Sequence, residues 1–286
     1  MAQKFRKIGV LTSGGDAPGM NAAVRAVTRS ANAKGVEVVG FIGGYRGMIH
    51  DEMITLTNRE VSNKINLSGT FLYSDRCLEF KEEAGMQKAI ATLKKHGIDG
   101  VVAIGGDGTF RGATDLSARG IPTIGVPGSI DNDITASDYT IGFDTAMQTV
   151  IADVDRLRDT CESHARCNIV EVMGRGAGDI TLNTAIASGA VACVIPECEF
   201  DEQACIDKII RLRREGKRSF LMIVSEAFPE LGEALAKKIT ALTKELAEKE
   251  GITETLKVEN QMLWVRRMNA VRETATEIVN NDLIFV

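Results

Sequence analysis

Gly105-Gly106-Asp107-Gly108-Thr109-Phe110-Arg111 follows directly on the apolar run Val101-Val102-Ala103-Ile104, and the reading of this junction decides the fold. The run is short, rich in branched residues and bounded by Gly100, which predicts a buried parallel strand rather than a helix. Thr109 is placed to cap a helix continuing through Ala113 to Ala118, so the glycines occupy a strand-to-helix turn. In an open α/β sheet ligands bind at such turns, and free N–H groups at a helix N-terminus attract phosphate. The carboxylate at the apex, Asp107, would repel a phosphate unless a hard cation such as Mg²⁺ lay between them. The residues therefore predict phosphate held together with magnesium, Asp107 being the metal ligand.

Working outward, the same pattern recurs. A strand over residues 7–11 runs into Thr12-Ser13-Gly14-Gly15-Asp16-Ala17-Pro18-Gly19-Met20-Asn21, with Pro18 suited to the first turn of a helix reaching about residue 34. A strand at 37–42, a loop at 43–47, a short helix at 60–66 and a long connection at 68–80 containing Arg76 come next. A helix at 83–96 leads into the opening strand. A strand at 123–127 ends in Gly128-Ser129-Ile130-Asp131-Asn132-Asp133, and a helix follows from 144 to 161. A strand at 168–172 ends in Met173-Gly174-Arg175-Gly176-Ala177-Gly178-Asp179 and enters a helix. A strand at 192–195, a helix at 201–214 and a strand at 219–224 complete a second unit, followed by a charged helix at 230–250 and a terminal strand at 278–286. Such alternation implies right-handed crossovers and parallel sheets. The expected fold is α/β, two doubly wound parallel-sheet domains with the active site in the cleft between them. The domains span 1–138 and 139–251, and residues 252–286 are a candidate to rejoin the first.

At 286 residues, 44% hydrophobic and 26% charged with a net charge of -5, the composition is that of a soluble globular protein and argues against nucleic-acid binding. No apolar run approaches the roughly 18 residues of a membrane span, and the N-terminus lacks a signal-peptide core, so a cytoplasmic protein is expected. The six cysteines form no C-x-x-C pair, which predicts reduced thiols.

Two common phosphate motifs are excluded by spacing. There is no G-x-x-x-x-G-K-[ST] run, and Arg111 stands where the dinucleotide fingerprint needs its third glycine, a place where it would push the helix off the strand. Asp131 and Asp133 read in two ways. They are a turn pair able to cap the next helix, or, beside a magnesium-phosphate site, Asp131 is the base that takes a proton from an alcohol. Arg76, Arg111, Arg166 and Arg175 are available to phosphate oxygens, and Glu226 is suited either to sugar hydroxyls or to plain surface exposure.

The run from Thr12 to Asn21, Gly105-Gly106-Asp107-Gly108-Thr109, the segment from Pro127 to Asp133 and Glu171-Val172-Met173-Gly174-Arg175 together resemble the bacterial ATP-dependent 6-phosphofructokinases, over roughly residues 4–226. The resemblance implies a homotetramer that moves the γ-phosphoryl of MgATP onto the 1-hydroxyl of fructose 6-phosphate, the first domain binding ATP and the second the sugar phosphate. It implies an ATP site of Gly15, Arg76, Cys77, Gly106, Asp107, Gly108 and Thr109, with Mg²⁺ on Asp107. It further implies Asp131 as base beside Ser129 and Asp133, and Met173, Gly174, Arg175 and Glu226 on the sugar phosphate, with Arg175 also counted catalytic and Arg166 reaching in from a neighbouring subunit. Gly108 and Gly128 stand where pyrophosphate-using relatives carry Asp and Lys, which points to ATP. Arg25, Arg29, Arg158, Lys217 and Arg218 match an effector site for ADP or phosphoenolpyruvate, while Val191, Asn58 and Glu215 depart from it and predict an altered response. Leu256 and the stretch 261–266 depart from the family's phosphate-gripping motifs, with Arg266 and Arg267 nearby. A nucleotide-binding homologue without turnover, acting as a partner or regulatory subunit, is the alternative; kinases of NAD or lipid with a G-G-D-G turn lack the segment from Pro127 to Asp133.

Overall fold

A computed structural model describes residues 5–135 and 137–228, and positions 262, 263, 265, 266 and 268 beyond them. The expected helix at 230–250 and strand at 278–286 lie outside the described residues, as does nearly all of 252–286. The chain divides into two compact units between Gln148 and Thr149.

In the first unit a six-stranded sheet runs in the order β3 (Met53–Thr55), β2 (Glu37–Phe41), β1 (Lys7–Ser13), β4 (Gly100–Gly105), β5 (Thr123–Ser129), β6 (Ile141–Gly142). Every neighbouring pair is parallel except β2 with β3. All six residues of β4 are buried. Side chains alternate across a strand, so Val101 and Ala103 join one core with Leu11, Phe41, Leu93 and Leu116, while Val102 and Ile104 join another with Val10, Met20 and Val24. Burial on both faces is why the strand reads as an unbroken apolar run. The helices responsible are α1 (Met20–Ala33), α2 (Tyr45–His50), α3 (Glu83–Lys95) and α4 (Asp107–Ala118). The register sets Ser13 opposite Gly105 and Gly105 opposite Pro127, so three strand ends open at one edge.

Several local expectations are corrected. No helix forms over 60–66, where Asn63 takes a left-handed conformation (φ 55) that a right-handed helix cannot include. Pro18 lies in a turn ahead of α1, which starts at Met20 behind left-handed Gly19 (φ 90). The loop at 43–47 already contains the start of α2, and β5 extends to Ser129 because β6 pairs with Gly128 and Ser129.

In the second unit β7 (Cys167–Val172), β9 (Phe220–Ser225) and β8 (Ala192–Val194) pair in that order, all parallel, with α6 (Asp179–Ser188) and α7 (Glu202–Arg214) as crossovers. Helix α5 (Phe143–Ser163) carries the chain across the division. Both units are thus α/β with parallel sheets, as the alternation implies. Cys77, Cys161, Cys167, Cys193 and Cys198 are free, and burial beside Cys161 and Cys205 pushes the half-buried Cys167 thiol up to about 12, which disfavours a reactive thiolate. Among the described residues no helix is long and apolar enough to cross a membrane.

One substitution tests the β1–β4–α4 junction. A Cβ on Gly105 would stand 2.4 Å from the Ser13 carbonyl oxygen and 2.4 Å from Thr109 Oγ1, neither of which can move freely. Gly105→Ala is expected to destabilise the protein by about 1–3 kcal/mol, read as a lower urea midpoint; an unchanged midpoint would contradict this packing.

Candidate active site

The first glycine turn is fastened to the long connection that precedes α3. Thr12 Oγ1 shares a hydrogen bond with Thr70 Oγ1 (2.8 Å) and donates to the Tyr73 carbonyl (2.9 Å). Ser13 Oγ and the Gly14 N–H both donate to the Asp75 carbonyl, at 3.3 and 3.4 Å. Those bonds hold Asp75, which exposed Arg76 and half-buried Cys77 follow in the chain, against Ser13 and Gly14.

The second glycine turn is built differently from the sequence expectation. Helix α4 begins at Asp107 with Gly106 as its N-cap, so Thr109 lies inside the first turn and caps nothing. Its buried hydroxyl instead donates to the Ser13 carbonyl at 2.9 Å, tying the second turn to the first. The Thr109 carbonyl in turn accepts from the Tyr45 hydroxyl at 2.7 Å. Tyr45 is stacked on Phe80 with ring centroids 4.0 Å apart, and burial drives its pKa well above the ordinary phenol value, so it remains a donor. Gly112, not position 111, makes the close helix contact, since a Cβ there would meet Tyr45 at 2.9 Å and Phe80 at 3.0 Å. Arg111 points outward and pairs with Asp107 at 2.7 Å, so it does not push the helix off the strand.

Gly15, Gly106 and Gly108 are not required by packing. None has a positive φ, and a Cβ added to any of them would meet nothing within 4 Å. Glycine in a helix is about 0.8–1 kcal/mol worse than alanine, so the fold gains nothing from Gly108. No side chain caps α4, and Gly106 and Gly108 at its start border open space with the exposed Asp107 carboxylate between them. Anionic ligand with a cation fits that donor set. Among the described residues no group of three His, Cys, Asp or Glu side chains forms a metal cage.

The turn after β5 carries Ser129, half-buried Asp131 and exposed Asp133. The Asp131 N–H donates to Ser129 Oγ at 3.1 Å. The capping reading fails here, because the next helix starts only at Phe143.

In the second unit, exposed Met173 leads into Gly174 (φ 154) and Arg175 (φ 58). A left-handed arginine persists only where its surroundings impose it. Glu226 does so: its N–H pairs with the Val172 carbonyl at 3.0 Å, and its Oε1 accepts from the N–H groups of Gly174 (3.1 Å) and Arg175 (2.5 Å). Glu197, which sequence reasoning missed, accepts from the Gly178 N–H at the start of α6 at 2.6 Å. This third glycine turn therefore differs from the other two, since carboxylates of the chain already occupy several of its amides. Only the pairing of β9 and β8 with β7 reveals it. Arg166 precedes β7 whereas Arg175 follows it, so a six-residue strand of about 20 Å separates them within one chain. Of the effector residues, Arg25 and Arg29 lie on α1 in the first unit, while Arg158, Lys217 and Arg218 lie in the second, Arg158 donating to the Ser188 carbonyl at 2.6 Å.

Fold and site together define a class: a parallel-sheet α/β protein with open glycine turns at its strand ends and an acidic turn beside them. A family model described as Phosphofructokinase matches residues 7–261, well past the motifs themselves, and the chain belongs to the phosphofructokinase family. It is 50% identical over 239 residues to ATP-dependent 6-phosphofructokinase 1 of Clostridium perfringens, covering 84% of this chain and 75% of that protein. It is 49% identical over 252 residues to ATP-dependent 6-phosphofructokinase of Streptococcus pyogenes, covering 88% of this chain and 73% of that one. Among solved structures it is similar to phosphofructokinase from Saccharomyces cerevisiae, with TM-score 0.72 and 34% identity over 77% of this chain and 34% of that longer one. A pyrophosphate-dependent phosphofructokinase from Nitrosospira multiformis, with TM-score 0.70 and 22% identity over 77% of this chain and 60% of that one, shares the fold.

Because the chain does not need Gly108, Gly108→Ala is expected to leave thermal stability unchanged or raise it by up to about 1 kcal/mol. A clear drop in melting temperature would show that this glycine serves packing instead.

Proposed function

We propose that this protein transfers the γ-phosphoryl group of MgATP to the 1-hydroxyl of fructose 6-phosphate, giving fructose 1,6-bisphosphate and ADP, the glycolytic reaction for which its relatives are named. The observation that carries the proposal is the pair of open glycine turns of the first unit, with Asp107 in the second of them and Asp131 at the neighbouring strand end. Gly15, Arg76, Cys77, Gly106, Gly108 and Thr109 line the ATP phosphates, and Asp107 holds Mg²⁺. Bound there, the metal neutralises charge on the phosphate chain. Asp131 accepts the proton of the attacking hydroxyl while the bond from the γ-phosphorus to the bridging oxygen breaks, and ADP leaves. Ser129 and Asp133 flank that carboxylate. A carboxylate at position 108 would repel the donor's α-phosphate, whereas glycine leaves room, so ATP is favoured over pyrophosphate.

The second unit supplies the acceptor side. Arg175, held in an otherwise unfavourable backbone conformation, meets the sugar phosphate together with Met173, Gly174 and Glu226. The separation of Arg166 from Arg175 along β7 supports a contribution of Arg166 from another copy, as in the homotetramer that the resemblance implies. The domains are proposed as 1–138 for ATP and 139–251 for the sugar phosphate, residues 252–286 rejoining the first. Arg25, Arg29, Arg158, Lys217 and Arg218 are proposed as an effector site for ADP or phosphoenolpyruvate between subunits with altered or absent response, and the thiols support a cytoplasmic setting.

The test is ADP release from MgATP by the full chain with and without fructose 6-phosphate. Sugar-dependent release is expected; nucleotide binding without turnover would contradict the proposal. Asp131→Ala is expected to lower kcat by about 10²–10⁴ while ATP binding persists, and unchanged turnover would mean that another group is the base.

A further inference from the structure

The turn carrying Asp131 is closed by one residue that no motif draws attention to. Thr140 is 4% exposed, and its hydroxyl donates to the Ser129 carbonyl 11 positions earlier at 2.7 Å. Its N–H donates to Asn132 Oδ1 at 2.9 Å, and Asn132 Nδ2 donates onward to the Asp138 carbonyl at 3.4 Å. Strand β6 starts at the next residue and pairs in parallel with Gly128 and Ser129, which fixes Thr140 against the end of β5. Asn132 is left-handed (φ 57), a conformation that Asn tolerates better than most residues and that a side-chain hydrogen bond stabilises.

Asp131 thus sits between two tethered neighbours. Before it, Ser129 has its carbonyl held by the Thr140 hydroxyl while its own Oγ accepts the Asp131 N–H. After it, Asn132 has its side chain held by the Thr140 N–H. Both tethers end on Thr140. A base must reach the proton it takes, and a displacement of about 1 Å costs on the order of 10²-fold in rate.

We propose that Thr140, acting through Ser129 and Asn132, is a positioning residue that fixes where the Asp131 carboxylate stands. It touches neither substrate nor metal; its effect falls on kcat. The inference rests on the reading of Asp131 as base, and its experiment separates the two.

Thr140→Val removes the hydroxyl while keeping shape and N–H, and Thr140→Ser keeps the hydroxyl. Asn132→Gly keeps the backbone conformation accessible and removes the clamp. In the full chain, Thr140→Val and Asn132→Gly are expected to lower kcat about 10- to 100-fold, with KM for ATP and for fructose 6-phosphate within about threefold of wild type. Thr140→Ser is expected to stay within about threefold of wild type in kcat. Amide hydrogen exchange over residues 129–140 is expected to quicken in Thr140→Val and Asn132→Gly but not in Thr140→Ser. The proposal is overturned if Thr140→Val retains wild-type kcat, if only KM changes, if the loss tracks a lowered melting temperature alone, or if serine fails to rescue. Should the wild-type chain not turn over fructose 6-phosphate, the reading of Asp131 fails for that acceptor. Exchange then decides the tether by itself, and unchanged protection in Thr140→Val overturns it.

Discussion

Parallel pairing of β1 with β4 and of β4 with β5 is the constraint from which the site follows. Hydrogen bonding in this register sets Ser13 against Gly105 and Gly105 against Pro127, so the chain leaves three adjacent strands at one edge. Each exit is a turn into the next element, and each turn then carries a different chemical element of the site. The first supplies open backbone, the second open backbone with a carboxylate, and the third a carboxylate pair. Without that shared edge the same residues would be unrelated surface turns.

Within this frame the protein separates structural glycines from functional ones. Gly105 and Gly112 are needed by the fold, because a methyl group would strike the Ser13 carbonyl or the Tyr45 ring. Gly15, Gly106 and Gly108 border empty space and contribute nothing to packing. Thr109 lies between the two sets. Its hydroxyl on the Ser13 carbonyl and its carbonyl under the Tyr45 hydroxyl fasten the start of α4 to β1 and α2. In the second unit Glu226 and Glu197 occupy backbone amides of the third turn, and Arg175 follows on a backbone that Glu226 keeps left-handed.

Much of this was legible in the residues, for identifiable reasons. A strand buried on both faces must be apolar throughout, which made β4 plain, and a glycine turn between strand and helix marked the ligand edge. Tertiary bonding hid the remainder. Thr109 has the look of a cap, and only the β1–β4 register reveals that its hydroxyl is used elsewhere. Strands β3 and β6, of three and two residues, are too short to show a period, and the three-residue β8 was found only because a flanking apolar stretch extended it. Helix α2 starts immediately behind two glycines with positive φ, and such a pair reads as loop in the sequence. Thr140 and Glu197 act through partners 11 and 19 residues distant, beyond any local pattern.

The central claim is that the edge formed by β1, β4 and β5 holds a metal-bridged phosphate chain through Asp107. Calorimetric titration of ATP into the wild-type chain and into Asp107→Asn, each with and without Mg²⁺, tests it most directly. The account predicts that magnesium strengthens ATP binding to the wild type and loses that effect in the variant. An equal gain from magnesium in both proteins would place the metal elsewhere and contradict it.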